Sequence, residues 1–203
     1  MSAPSCISVT ANCAMVSGLC LVAGPALAHT GTGLPGGFLS GLLHPISGLD
    51  HLLAMVSVGI WGAFLGRPLV YALPVIFPTV MAFGAALGMA NTPLPPVELG
   101  IAVSVLVLGA LIAGGIRLPV WAACLVVGVF AIFHGYAHGK ELPSAADPIG
   151  YSVGFMLTTG SLHVAGIGVG SLLRWPWGRL ALRGLGGAIA ACGLMFLVAV
   201  VGR

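Results

Sequence analysis

Residues 97–115 read VELGIAVSVLVLGALIAGG. Apart from Glu98 at the start, the run carries no charge. Wound as a helix it extends about 28 Å, close to the hydrocarbon thickness of a bilayer. Working outward, similar apolar runs occupy 38–65, 69–90, 118–138, 149–172 and 180–202. The gaps are punctuated by helix breakers: Arg67-Pro68, Pro93 to Pro96, Arg117 to Pro119, Pro143 to Pro148, and Pro176. Nothing between the runs is long enough to fold as a soluble domain. The reading is an all-α polytopic membrane protein with six transmembrane helices.

Composition supports this from an independent direction. Of 203 residues, 59% are hydrophobic and 5% charged, and the mean hydropathy is +1.13. Soluble domains carry roughly 25% charged residues, so too few charges are present to cover a globule against water. Glycine is abundant, at 32 residues. The pairs Gly62/Gly66, Gly84/Gly88, Gly150/Gly154 and Gly166/Gly170 have the four-residue spacing that lets membrane helices approach closely. The net charge of +3 includes no basic cluster suited to nucleic acid. Cys6, Cys13, Cys20, Cys124 and Cys192 form no CxxC, so neither a disulfide framework nor a thiolate metal site is indicated.

Residues 1–28 read as a cleavable signal peptide, leaving 29–203 as the six-helix domain. The apolar stretch around Met15 to Ala26 ends in Ala26-Leu27-Ala28, a small-x-small cleavage pattern, although no Lys or Arg precedes it. Cleavage after Ala28 makes His29 the mature N-terminus, where amine and imidazole form a potential chelating pair. It also places residue 29 outside the membrane. The inward turns then carry Arg67, Arg117, Arg174, Arg179 and Arg183, against Lys140 and Arg203 outside, in accord with the positive-inside rule. Trp61, Trp121, Trp175 and Trp177 fall at the inner interface on this topology. The acidic residues Asp50, Glu98, Glu141 and Asp147 all fall toward the outside, where they would concentrate cations.

Ionisable groups inside membrane spans are costly, and are functional candidates for that reason. One cluster is His44-Pro-Ile-Ser-Gly-Leu-Asp50-His51. On a continuous helix, His44 and His51 share a face two turns apart. Asp50 can orient an imidazole or ligate directly, and Pro45 and Gly48 are positioned to break the helix. Irregular backbone at membrane depth is expected where it lines a cavity. The plainer reading, Ser47 or Asp50 as a helix cap, leaves two histidines unexplained. The second cluster is Phe133-His134-Gly-Tyr-Ala-His138-Gly-Lys-Glu141. His134 and His138 are four apart on one helical face, with Glu141 three further on if the helix continues. Its plainer reading is a pair of interfacial histidines with a solvated carboxylate. His163 stands alone near the middle of the fifth span, equally readable as a hydrogen-bonded core residue and as a ligand. Topology brings both clusters to the outer side, with His163 deeper. Imidazole and carboxylate without thiolate suit nickel, cobalt, zinc or copper(II), and do not choose among them.

Both motifs resemble the HupE/UreJ family of nickel permeases. The resemblance is carried by His44-Pro45-x-Ser47-Gly48-Leu49-Asp50-His51-Leu52-Leu53-Ala54-Met55, by Val58-Gly59-x-Trp61, and by Phe133-His134-Gly135-x-Ala137-His138-Gly139-x-Glu141. It runs from the leader through all six spans. It implies a secondary transporter that imports nickel, or in some members cobalt, across the inner membrane for hydrogenase or urease. The implied functional residues are His44, Asp50, His51, His134, His138 and Glu141, with His29 at the mature N-terminus. The ion is the transported substrate, and no tightly bound cofactor is implied. The partners are the divalent ion and the lipid bilayer, with self-association into a homo-oligomer left open. An intramembrane metalloenzyme is the weaker alternative, because Gly135 and Tyr136 follow His134 where HExxH chemistry needs a glutamate. A binding or sensing module that never translocates its ion is a third.

Overall fold

The computed structural model describes residues 37–142 and 147–203. Among these residues, seven α-helices follow one another: α1 Phe38–Ser47, α2 Leu49–Leu65, α3 Leu69–Met89, α4 Val97–Gly114, α5 Val120–Glu141, α6 Pro148–Gly170 and α7 Gly178–Val201. A short 3-10 turn, Ser171–Arg174, extends α6. Among the described residues, five helices are long and apolar enough to cross a membrane, and there are six such spans if the bent pair α1 and α2 counts as one. The chain is therefore a multi-pass membrane protein, as its sequence predicts. The signal peptide, its cleavage site and His29 lie outside the described residues.

The first span differs from a continuous helix in one respect that matters. It bends by 82° between α1 and α2. Pro45 withholds an amide from α1, and Gly48 takes an extended conformation between the two helices. The hydroxyl of Ser47 donates to the His44 carbonyl at 2.7 Å, satisfying a group that the helix end leaves over. At the start of α2, Asp50 Oδ1 accepts the His51 amide at 2.7 Å. His44 and His51 thus sit on two separate helices, and their shared face on one helix is corrected to a meeting across a bend.

The packing rests on small residues, as lipid supplies no hydrophobic drive between helices. α3 and α5 pack as a close pair. A Cβ on Gly84 or Gly88 would strike the Ile132 or Tyr136 carbonyl, and one on Gly135 or Gly139 the Met81 or Ala85 carbonyl. α2 and α6 cross where Gly59 lies on the His163 carbonyl and Gly166 on the Val56 carbonyl. Gly62/Gly66 does not belong to this set, because Gly66 ends α2 at φ +75° and a Cβ there would meet open space. α2 is the central helix, with Ala54, Met55, Val58, Ile60 and Trp61 fully buried. Trp61 therefore leaves the expected interfacial belt, and its indole N–H donates to the Ile116 carbonyl at 3.1 Å. Trp121 and Trp177 are exposed.

Candidate metal site

α5 carries the second cluster without interruption. It continues to Glu141, so His134, His138 and Glu141 line one face at spacings of four and three. The bend in the first span turns the end of α1 toward that face. His44 Nε2 comes to 3.3 Å from Glu141 Oε2, and His138 Nδ1 to 3.4 Å from the same oxygen. Ligand atoms of His44, His138 and Glu141 all lie within 4.8 Å of one another, with both histidines buried. Donors around one transition ion at about 2.1 Å stand roughly 3–4 Å apart, so small side-chain adjustments would close this trio on an ion.

The imidazoles continue inward from the trio. His138 Nε2 is 3.2 Å from His51 Nδ1, and His51 Nε2 is 3.5 Å from Thr159 Oγ1 on α6. A carboxylate only accepts hydrogen bonds. Starting from Glu141, the neutral tautomers are then fixed in series: His138 donates to Glu141, His51 to His138, and Thr159 to His51. Beside them, the His134 ring lies 5.3 Å from that of His51. His134 Nε2 is 3.0 Å from Ser104 Oγ, whose own proton goes to the Ile101 carbonyl at 2.6 Å. At that contact the imidazole must donate, which places its lone pair on Nδ1. A partner that sets the tautomer in this way is typical support for a metal-binding histidine.

Aromatic rings wall the site. Phe155 packs against His138, His51 and His44 at centroid distances of 4.4, 5.2 and 6.0 Å. Tyr151 closes on His44 at 5.8 Å. Thr158 ties α6 to α1 by donating to the Leu42 carbonyl at 2.8 Å. The plainer sequence readings are not met. The N-cap of α2 is Gly48, not Ser47 or Asp50, and Asp50 sits inside the first turn, where it accepts the His51 amide, and stands outside the trio. The histidines are buried together and not spread along an interface. His163 is fully buried one level deeper, with neither ring nitrogen hydrogen-bonded. Ser104, Thr159, Phe155 and Phe77 complete the surroundings without a signal in the sequence motifs. The one available hint was a hydroxyl, Ser104, inside an otherwise aliphatic run.

Comparison with known proteins gives a consistent result. The family described as HupE / UreJ protein matches residues 17–196. Protein HupE of Rhizobium leguminosarum bv. viciae is 46% identical over 181 residues, which is 89% of this chain and 95% of that protein. No solved structure matches. With the match spanning both histidine clusters and every described helix but the last residues of α7, the chain belongs to the HupE/UreJ family.

Proposed function

We propose that this protein is a permease that brings a divalent transition metal, nickel in the first place, across the inner membrane to serve hydrogenase or urease maturation. The observation that carries the reading is the His44–His138–Glu141 trio, built by two different spans. Two imidazoles and one carboxylate form a donor set of intermediate softness, suited to nickel, cobalt or zinc. The ion would shed water at this outer mouth, bind the trio, and move inward past His51 and His134. Asp50 would hold the start of α2 so that His51 faces the path. The mature N-terminus would be periplasmic and His29 an accessory ligand there, in keeping with the inward placement of Arg67, Arg117, Arg174, Arg179 and Arg183.

The membrane potential drives such an ion inward by about 4.6 kcal/mol per 100 mV for two charges. Facilitated uptake therefore needs no nucleotide hydrolysis. The test is accumulation of radioactive nickel in cells expressing the chain, beside a His44→Ala/His138→Ala variant, with cobalt and zinc as competitors. Accumulation that the variant loses supports the permease. Stronger competition by cobalt or zinc than by unlabelled nickel reassigns the cargo. No accumulation of any metal by protein shown to be in the membrane defeats the reading, leaving an intramembrane metal-binding protein or metalloenzyme.

A further inference from the structure

We propose that His163 is the ligand of a second, inner ion position, separated from the outer site by the ring of Phe77. The inference deepens the permease reading and rests on it. His163 lies on α6 one turn beyond Thr159, on the same face, and Thr159 touches His51 of the outer network. The imidazole is fully buried, yet neither of its nitrogens has a hydrogen-bond partner. Burying an imidazole without partners is unfavourable, and a group kept in that state is a candidate for service to a ligand.

Phe77 stands between the two levels. Its ring contacts His134 at 5.6 Å and 62°, and His163 at 5.5 Å and 71°, edge to face on both sides. The ring is fully buried, so an ion leaving the outer network meets it before it meets His163. The helix that carries it is weakened at this place. α3 contains Pro74 and Pro78, which flank Phe77 and withhold two backbone amides from the helix. Displacement of this segment would uncover one face of the His163 ring while leaving the glycine contacts of Gly84 and Gly88 with α5 in place. The ligand is a divalent transition ion that retains part of its water shell, because one imidazole and the Thr159 hydroxyl supply too few donors to replace it. Single-imidazole coordination also makes the inner position weaker than the trio, as a position that must release its ion inward requires.

The test counts Co2+ bound to the full-length protein in lipid nanodiscs by equilibrium dialysis. The variants are Phe77→Ala and Phe77→Ala/His163→Ala, with Phe77→Leu replacing Phe77→Ala in both if the alanine variants do not stay monodisperse. Removing His163 from the uncovered protein is expected to remove one bound ion per chain. In proteoliposomes, His163→Ala is expected to keep the half-saturating concentration set by the outer trio. Its saturated rate is expected to fall by roughly tenfold or more, the size of effect associated with losing metal-site side chains. Equal ion counts with and without His163, or a wild-type saturated rate in His163→Ala, overturn the inner position. The two readings fail separately. A wild-type protein that moves no ion but shows a His163-dependent bound ion defeats the permease alone. Transport without any His163-dependent ion defeats the inner position alone.

Discussion

Replacing Glu141 by Gln tests the outer site at its one charge. The substitution keeps side-chain length and planarity and removes the anion that His44 and His138 share at 3.3 and 3.4 Å. The Glu141 side chain is 18% exposed, so the site is neither dry interior nor bulk water. Two unit charges 4 Å apart attract by about 1 kcal/mol in water and about 4 kcal/mol at an effective dielectric of 20. A doubly charged ion at that distance from the carboxylate gains about twice as much, so the aqueous limit sets a floor near 2 kcal/mol. Since about 1.36 kcal/mol is tenfold, Glu141→Gln should raise the half-saturating nickel concentration by roughly 30-fold or more. The assay is initial uptake into proteoliposomes over a range of nickel concentrations, with equal protein incorporation verified. Glu141→Asp, which keeps the charge but shortens the reach, should fall between the two. A Glu141→Gln protein that saturates at the wild-type concentration would show that the ion does not meet this carboxylate, and the trio would lose its role.

Three further outcomes follow from the same geometry. Ser104→Ala leaves the His134 ring without its acceptor; a loss of about 10-fold or more in nickel affinity is expected by titration, and unchanged affinity would remove His134 from the path. Gly135→Val drives a branched side chain into the Met81 carbonyl of α3; thermal unfolding in detergent should report about 1–3 kcal/mol of destabilisation or outright failure to assemble, whereas a wild-type melting temperature would contradict the close α3–α5 contact. Protons compete with metal for imidazole, so uptake should decline as the external pH is lowered, and equal uptake at pH 5 and pH 7.5 would speak against histidine ligands.

The spans were legible because lipid imposes a length and an apolarity that few other folds need. Residues 97–115 needed no structure to be read as a helix across a bilayer. The continuation of α5 to Glu141, beyond the span read as 118–138, was legible only as a condition, but the break in the first span was legible in Pro45 and Gly48. The direction of the bend was not, since it depends on α6, where Gly154 lies on the Phe38 carbonyl and Thr158 holds the Leu42 carbonyl. Hydroxyls were the least legible feature of the site. Thr79, Ser152 and Ser161 donate to carbonyls of their own helices, at Val75, Pro148 and Leu157. Nothing local to the sequence distinguishes them from Thr159, which reaches an imidazole, and only its aliphatic surroundings single out Ser104, which does both. Trp61 failed as a belt residue for a related reason. A tryptophan at a helix end reads the same whether its neighbours are headgroups or, as here, the carbonyl of a facing helix end.

The bend at Gly48 has an electrostatic consequence. α1 is ten residues long, about 15 Å and half the length of a membrane-crossing helix, and its carbonyl end lies beside His44. α2 begins there with its amide end. A helix dipole places roughly half a negative charge at the first of these ends and half a positive charge at the second. The two would largely cancel for an approaching cation were both left bare. Asp50, in the first turn of α2, offsets the positive end with a full negative charge, whereas the carbonyl end of α1 meets only a neutral hydroxyl, that of Ser47 on the His44 carbonyl. The backbone of a broken span thereby presents a net attraction to a metal ion at the place where the side chains can ligate it.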